Sequence, residues 1–164
     1  MTKILYPNQI VDSVFDIDLL ELKERGFKCI IVDIDNTLIA WDKKHATKKV
    51  INWFEKVQML GFKVCIASNA TKSRVVKFND KVKVLAIYRA AKPRKKPFKK
   101  AIKLMKTTPE KTVVIGDQIF TDILGGNRLG AYTVLVSPIS DKELIFTKFI
   151  RKLEKLVLKK AKLR

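Results

Sequence analysis

Two aspartates two residues apart, Asp33 and Asp35, follow a short apolar run from Cys29 to Val32, and Asn36 and Thr37 come directly after them. The run has the length and β-branched content of a buried strand. An acid placed right after such a strand is costly unless it sits at the strand's open end, where a cation can neutralise it. In a parallel α/β sheet that end is where ligands bind. Asp33 therefore reads as a strand-end carboxylate, and Asp35 as its neighbour in the loop. The same residues would also suit an ordinary loop that caps a helix, and this stretch alone does not choose between the two.

Three more apolar runs end in polar chemistry. Phe62 to Ala67 leads into Ser68-Asn69, Val82 to Ile87 is followed by Lys92-Pro93, and Thr112 to Ile115 runs into Gly116-Asp117, with Asp122 five residues on. In a parallel sheet all four ends meet at one edge. Together they offer three or four carboxylates, a hydroxyl, an amide and an ammonium. Carboxylates so close repel one another unless a divalent cation is present, and oxygen ligands with retained water suit Mg²⁺. A hydroxyl, backbone N–H groups and a lysine suit phosphate oxygens. Plainer readings exist for each residue. Ser68 and Asn69 could form a simple loop before a Thr71 cap, Asp117 a turn, and Asp122 an N-cap. Lys96 is followed by proline just as Lys92 is. His45 reads as a surface residue, and Trp41 and Trp53 as packing.

The positioning elements follow from period and punctuation. Residues 1 to 15 are poorly patterned. Asp16 to Arg25 reads as a helix closed by Gly26. Thr47 caps a helix that carries Val50, Ile51, Phe54, Val57 and Leu60 and stops at Gly61. Further helices are expected from Thr71 to about Phe78, up to about Lys106, from Asp122 to Arg128, and from about 142 to 162; Tyr132 to Val136 is a fifth strand. Strand and helix alternate, which predicts a single α/β domain over 1–164: a parallel five-stranded sheet with helices on both faces, preceded by a helical extension over about 1–26.

Composition narrows the class. At 47% hydrophobic residues the chain is not disordered. No apolar run approaches the ~20 residues of a membrane span, and the first residues lack a signal-peptide pattern. Cys29 and Cys65 lie inside apolar strands, as buried thiols of a reducing compartment do. A cytoplasmic or peripheral location is the expectation. Lysine and arginine number 35 against 16 acids, a formal charge of +19. Such an excess attracts nucleic acid, an anionic membrane face or phosphorylated substrates.

These residues resemble the haloacid dehalogenase (HAD) superfamily of aspartyl-phosphate phosphatases. Its DxDxT motif is matched by Asp33, Asp35 and Thr37, its strand-two hydroxyl by Ser68, its lysine by Lys92 and its GDxxxxD box by Gly116, Asp117 and Asp122. The strings DIDNTL, AKP and GDQIFTDILGGN are similar to those of the YqeG group of class IIIA HAD phosphatases, to which the mitochondrial phosphatidylglycerophosphate phosphatase of fungi is related. The resemblance implies a three-layer Rossmann-like fold. It further implies Asp33 as nucleophile, Asp35 as acid and base, and Mg²⁺ on Asp33, the Asp35 carbonyl and Asp117. Thr37, Ser68, Asn69 and Lys92 would serve the substrate phosphate, with Asp122 as a metal-supporting residue or a cap.

Caps of this superfamily enter between the first and second motifs or between the second and third. Asp33 to Ser68 spans 35 positions and Ser68 to Lys92 spans 24, and ordinary connections already fill both. An uncapped site is expected to admit a phosphate projecting from something large. Arg89 to Lys106 holds nine basic residues and no acid. The last helix sets Phe146, Phe149, Ile150, Leu153, Leu156 and Val157 on one stripe, expected to pack on the sheet. Its other face is lysine-rich and either merely solvated or membrane-facing. Three functions remain open: a Mg²⁺-dependent phosphatase at a membrane surface, with anionic phospholipid such as phosphatidylglycerophosphate as partner; a phosphatase of nucleotide or nucleic-acid phosphates; and a non-catalytic basic module that binds RNA or the ribosome.

Overall fold

The computed structural model describes residues 2–140 and 145–162. Six parallel strands form one sheet in the order β1-β6-β5-β2-β3-β4. The strands are β1 Gln9–Val11, β2 Cys29–Val32, β3 Lys63–Ala67, β4 Leu85–Ile87, β5 Thr112–Gly116 and β6 Tyr132–Val136. The helices are α1 Leu19–Glu24, α2 Lys48–Met59, α3 Lys72–Val82, α4 Lys95–Met105, α5 Leu124–Leu129 and α6 Ile145–Lys162.

Alternate residues of each buried strand feed opposite faces. Ile30 and Val32 of β2 join a core with Phe54 of α2 and Phe78 of α3. Cys29 and Ile31 join another with Phe98 and Ala101 of α4. Both cysteines are buried and free, and burial pushes the Cys65 thiol up to about 12. Trp53 is buried, whereas Trp41 and His45 are exposed.

The chain steps outward from β2 to β3 and β4, then returns to the other flank of β2 with β5 and β6. The order therefore reverses between β2 and β5, the place where open α/β sheets bind ligands. Register aligns the strand ends: Val32 lies level with Ile66 on one side and Ile115 on the other. Asp33, Ser68 and Asp117 consequently emerge close together. Within the described residues, α2 is the one helix between β2 and β3, and α3 the one between β3 and β4.

Several expectations are corrected. The sheet has six strands, not five, because Gln9–Val11 pairs with β6. Asn8 helps fix that strand: its side-chain oxygen accepts from the Thr133 N–H at 2.8 Å. The expected helix from Asp16 divides into a 3-10 turn, Val14–Asp16, and α1, capped by Asp18 through the Glu21 N–H. Helix α3 runs on to Val82, past Phe78, which delays β4 to Leu85. The helix near Asp122 begins earlier, as one π turn over Ile119–Ile123. Residues 141–144 of the expected last helix lie outside the described residues.

The stripe expected on α6 departs in part: Val157 packs inward as expected, the side chain of Phe146 lies outside those described, and three of the rest differ. Val157 and Leu158 pack against Ile119, Ile123 and Leu135, and Glu154 is buried. Phe149, Leu153 and Leu156, expected to face the sheet, are instead 59%, 38% and 59% exposed. The bound face is chosen by a polar need. The Ile119 N–H at the start of the π turn donates to Glu154 Oε1 at 2.6 Å, and Phe120 N–H donates to the same oxygen. Each buried N–H left unpaired would cost about 1–3 kcal/mol, and the bound face of α6 satisfies two of them while also bringing Arg151 to Asp117.

Close approach of α4 and α5 depends on Gly125, where an added Cβ would lie 2.3 Å from the Phe98 ring. Gly125→Ala is expected to lower unfolding free energy by about 1–3 kcal/mol, the usual cost of overpacking, as read by urea denaturation.

Candidate active site

Loops after β2, β3, β4 and β5 bring one cluster together. Asp33, 9% exposed, points Oδ1 at the Ile34 N–H, which donates to it at 2.8 Å. Its Oδ2 meets the Lys92 ammonium at 3.1 Å. Lys92 also reaches Asp122 Oδ1 at 2.6 Å. Burial works to lower the lysine's pKa, but Asp122 and then Asp33 outweigh it and hold the ammonium above its usual range. Lys92 is therefore a charged side chain in the interior, while Lys96, its rival in the sequence, is exposed.

Neighbouring loops hold Lys92 by its backbone. The Lys92 N–H donates to Asn69 Oδ1 at 2.8 Å. Ser68 is buried, and its Oγ accepts from the Ala70 N–H at 3.1 Å. Asn69 thus positions the lysine loop, and Ser68 braces the turn beside it.

Asp117 is almost wholly buried. The Thr37 hydroxyl donates to its Oδ1 at 3.0 Å, so Thr37 orients this carboxylate. Arg151, from α6, donates to Asp117 Oδ2 and to its backbone oxygen. Burial, together with Asp122 and Asp33, pushes the Asp117 carboxyl up to about 7, with Arg151 opposing. Burial likewise raises Asp122 to about 6, against the pull of Lys92. Ligand atoms of Asp33, Asp117 and Asp122 all lie within 4.8 Å of one another. Asp122 belongs to the cluster and not to a helix cap: it sits in the middle of the π turn and accepts from the Gln118 N–H. Its entry needs Gly116, where a Cβ would fall 2.1 Å from Asp122 Cγ.

Asp35 stands at the rim, its side chain 32% exposed. Arg74 of α3 donates Nε to Asp35 Oδ1 at 2.7 Å and a second N–H to the same oxygen. Burial raises this carboxyl, and Arg74 opposes the rise.

Three residues of the cluster escape a reading of the sequence. Arg74 has no signal, being one basic residue among many. Arg151 is hidden in the same way among the lysines of α6. Glu154 does have one: it is the only acid from Lys148 to the end of the chain. It accepts from Arg151 at 3.1 Å as well as from the π turn. Among the described residues, four carboxylates (Asp33, Asp117, Asp122 and Glu154) thus face two cations, Lys92 and Arg151. A cavity of about 490 Å³ lies elsewhere, lined by Gly26, Gly61 and Lys106 at the other end of the strands. A smaller cleft of about 230 Å³ opens at Asp117 itself, between Ile10, Leu135 and Pro138 on one side and Arg151, Lys155 and Leu158 on the other.

Comparison with known proteins gives concordant results. Residues 30–91 match the haloacid dehalogenase-like hydrolase family model, and residues 89–142 a second HAD-hydrolase-like model. The chain is 42% identical to the probable phosphatase YqeG of Bacillus subtilis, over 99% of this chain and 94% of that one. It is 32% identical to phosphatidylglycerophosphate phosphatase 1, chloroplastic/mitochondrial, of Arabidopsis thaliana, over 94% of this chain but 47% of the relative. Among solved structures, the cobalt-bound deoxy-D-mannose-octulosonate 8-phosphate phosphatase of Haemophilus influenzae superposes with a TM-score of 0.56 at 14% identity, covering 84% of this chain and 90% of that one; that likeness concerns the fold. With family models on both halves and a phosphatase relative matched nearly end to end, this chain belongs to the haloacid dehalogenase-like hydrolases and is a phosphatase of that family.

Proposed function

We propose that the chain hydrolyses a phosphomonoester in two steps through an aspartyl-phosphate, with Mg²⁺, on a substrate presented at a lipid surface such as phosphatidylglycerophosphate. The observation that carries the chemistry is the ammonium of Lys92 set between Asp33 and Asp122, with Asp117 within 4.8 Å of both. The lipid substrate is suggested by the name of the Arabidopsis relative and by the absence of a cap between β2 and β4 among the described residues.

The residues fit a divalent ion. The donors are hard carboxylate oxygens, and among the described residues four acids against two cations leave a deficit that two positive charges would close. Asp33, Asp117 and the Asp35 carbonyl would hold it, with Asp122 in support. When bound, the ion neutralises the acids and the incoming phosphate.

The chain's own residues supply the rest. Asp33 Oδ attacks phosphorus as the bond to the leaving oxygen breaks, forming an acyl phosphate. Asp35, whose carboxyl burial biases toward the protonated form, gives its proton to that oxygen. It then takes one from the water that cleaves the intermediate and restores Asp33. Arg74 aims Asp35, and Thr37 aims Asp117. Lys92 faces the charge that spreads over the phosphoryl oxygens, assisted by the turn at Ser68. Asn69 keeps the lysine loop in place.

Asp33→Asn is expected to cut turnover of any phosphomonoester by at least about 1,000-fold, as removal of a nucleophile does, while the thermal midpoint holds. Phosphate release in Mg²⁺ buffer measures this, and undiminished turnover rejects the mechanism. Asp35→Asn should cost about 10²- to 10⁴-fold, the range of general acid–base catalysis.

Metal and pH are linked with a definite sign. Folded-state values of about 7 and about 6 for Asp117 and Asp122 stand above the ordinary 3.8. In metal-free protein these groups therefore stabilise the fold at low pH, and that contribution is lost as pH rises from about 4 to about 7. A cation that replaces the protons restores it. At a fixed Mg²⁺ concentration, the rise in melting temperature over EDTA-treated protein should be larger at pH 8 than at pH 6. Calorimetric scans at the two pH values check this, and an equal or reversed shift contradicts it.

A further inference from the structure

Among the described residues, the outward face of α6 is unpartnered and chemically uniform. Phe149, Leu153 and Leu156 are exposed and, at about 100° per residue, fall within an arc of about 60°. Lys148, Lys152, Lys155 and Lys159, all exposed, occupy the adjoining arc, and Lys160 lies within the stripe. Glu154, the acid of this helix, is turned inward. Among the described residues this face holds no amide, hydroxyl or acid. It offers only apolar bulk and positive charge.

We infer that this face of α6 is a docking surface for an anionic lipid bilayer, with the apolar stripe entering the headgroup–acyl boundary and the lysine flank meeting the lipid phosphates. Apolar area together with like charges along one helix is what interfacial binding requires. A nucleic acid would use the lysines and could stack a base on Phe149, but it would leave Leu153 and Leu156 in water. The opposite face of the same helix is pinned to the active site by Arg151 on Asp117 and by Glu154 on the π turn. Lys155 belongs to both regions, as part of the flank and of the wall of the 230 Å³ cleft that ends at Asp117. A docked helix thus sets that cleft beside the headgroups. The inference deepens the reading of the site as a lipid-phosphate phosphatase and rests on it for its biological sense; the docking itself can be tested apart.

The test is flotation of the whole protein with vesicles of phosphatidylcholine alone or with about 30% phosphatidylglycerol. Wild type should float with the anionic vesicles and not the neutral ones, and less so as salt rises. Phe149→Ser/Leu153→Ser/Leu156→Ser should lower partitioning at least about tenfold. Lys148→Gln/Lys152→Gln/Lys159→Gln should erase the preference for anionic lipid. Both variants should hydrolyse the soluble ester p-nitrophenyl phosphate as wild type does, which shows the fold intact. The inference is overturned if wild type shows no anionic preference, or if the serine variant floats as well as wild type. It is also overturned if single-stranded RNA binds both of these proteins equally while vesicles bind neither. Hydrolysis of the soluble ester without flotation sinks the docking surface alone. Flotation without Mg²⁺-dependent hydrolysis sinks the catalytic reading alone.

Discussion

Acids gathered at one edge of a buried sheet must be neutralised, and the arrangement of this molecule follows from that requirement. Asp33, Asp117 and Asp122 lie so close that their ionised forms repel across a medium with little water. Lys92 is shared by two of them, and Arg151 serves the third. Neither cation is interchangeable with the many lysines on the surface, because Lys92 is buried, Arg151 is partly buried, and both are held by acids of the cluster. Removing either would leave a charge unpaired in the interior, which costs far more than losing an exposed ion pair.

Topology makes the gathering possible. Reversal of strand order between β2 and β5 opens a crevice at their carboxyl ends, and equal register brings Asp33 and Asp117 out side by side. The remaining precision comes from the backbone. Gly116 leaves space for the Asp122 carboxylate, and Asn69 grips the main chain of Lys92 across two loops. These are short-range steric and hydrogen-bond devices, each far from Asp33 in sequence and near it in space.

Much of this was readable from the chain. Burial on both faces gives parallel strands continuous apolar runs, so β2, β3, β5 and β6 stand out, and the polar residues after β2, β3, β4 and β5 are those the structure brings together. Strand β1 does not stand out, because three residues behind a proline carry no usable period; its pairing with β6 makes it a strand. Arg74 and Arg151 were invisible for a different reason. In a chain of +19, an arginine that points inward looks like one that points outward. The orientation of α6 departs from its hydrophobic pattern, which assumes that apolar residues decide which face is bound. Here the backbone N–H groups of Ile119 and Phe120, and the acid that accepts from them, decide it. Glu154, alone among so many basic residues, was the visible trace of that arrangement.

The reach of Arg151 gives the site an internal competitor. Its guanidinium is tethered to the same chain as Asp117 and so acts at a high effective concentration. Any ion approaching Asp117 contends with this resident charge, and its affinity reflects how firmly the last helix is moored as well as the geometry of the carboxylates. Loosening the helix at its distant end would therefore be felt at the carboxylates as a change in ionic preference, with no residue of the pocket altered.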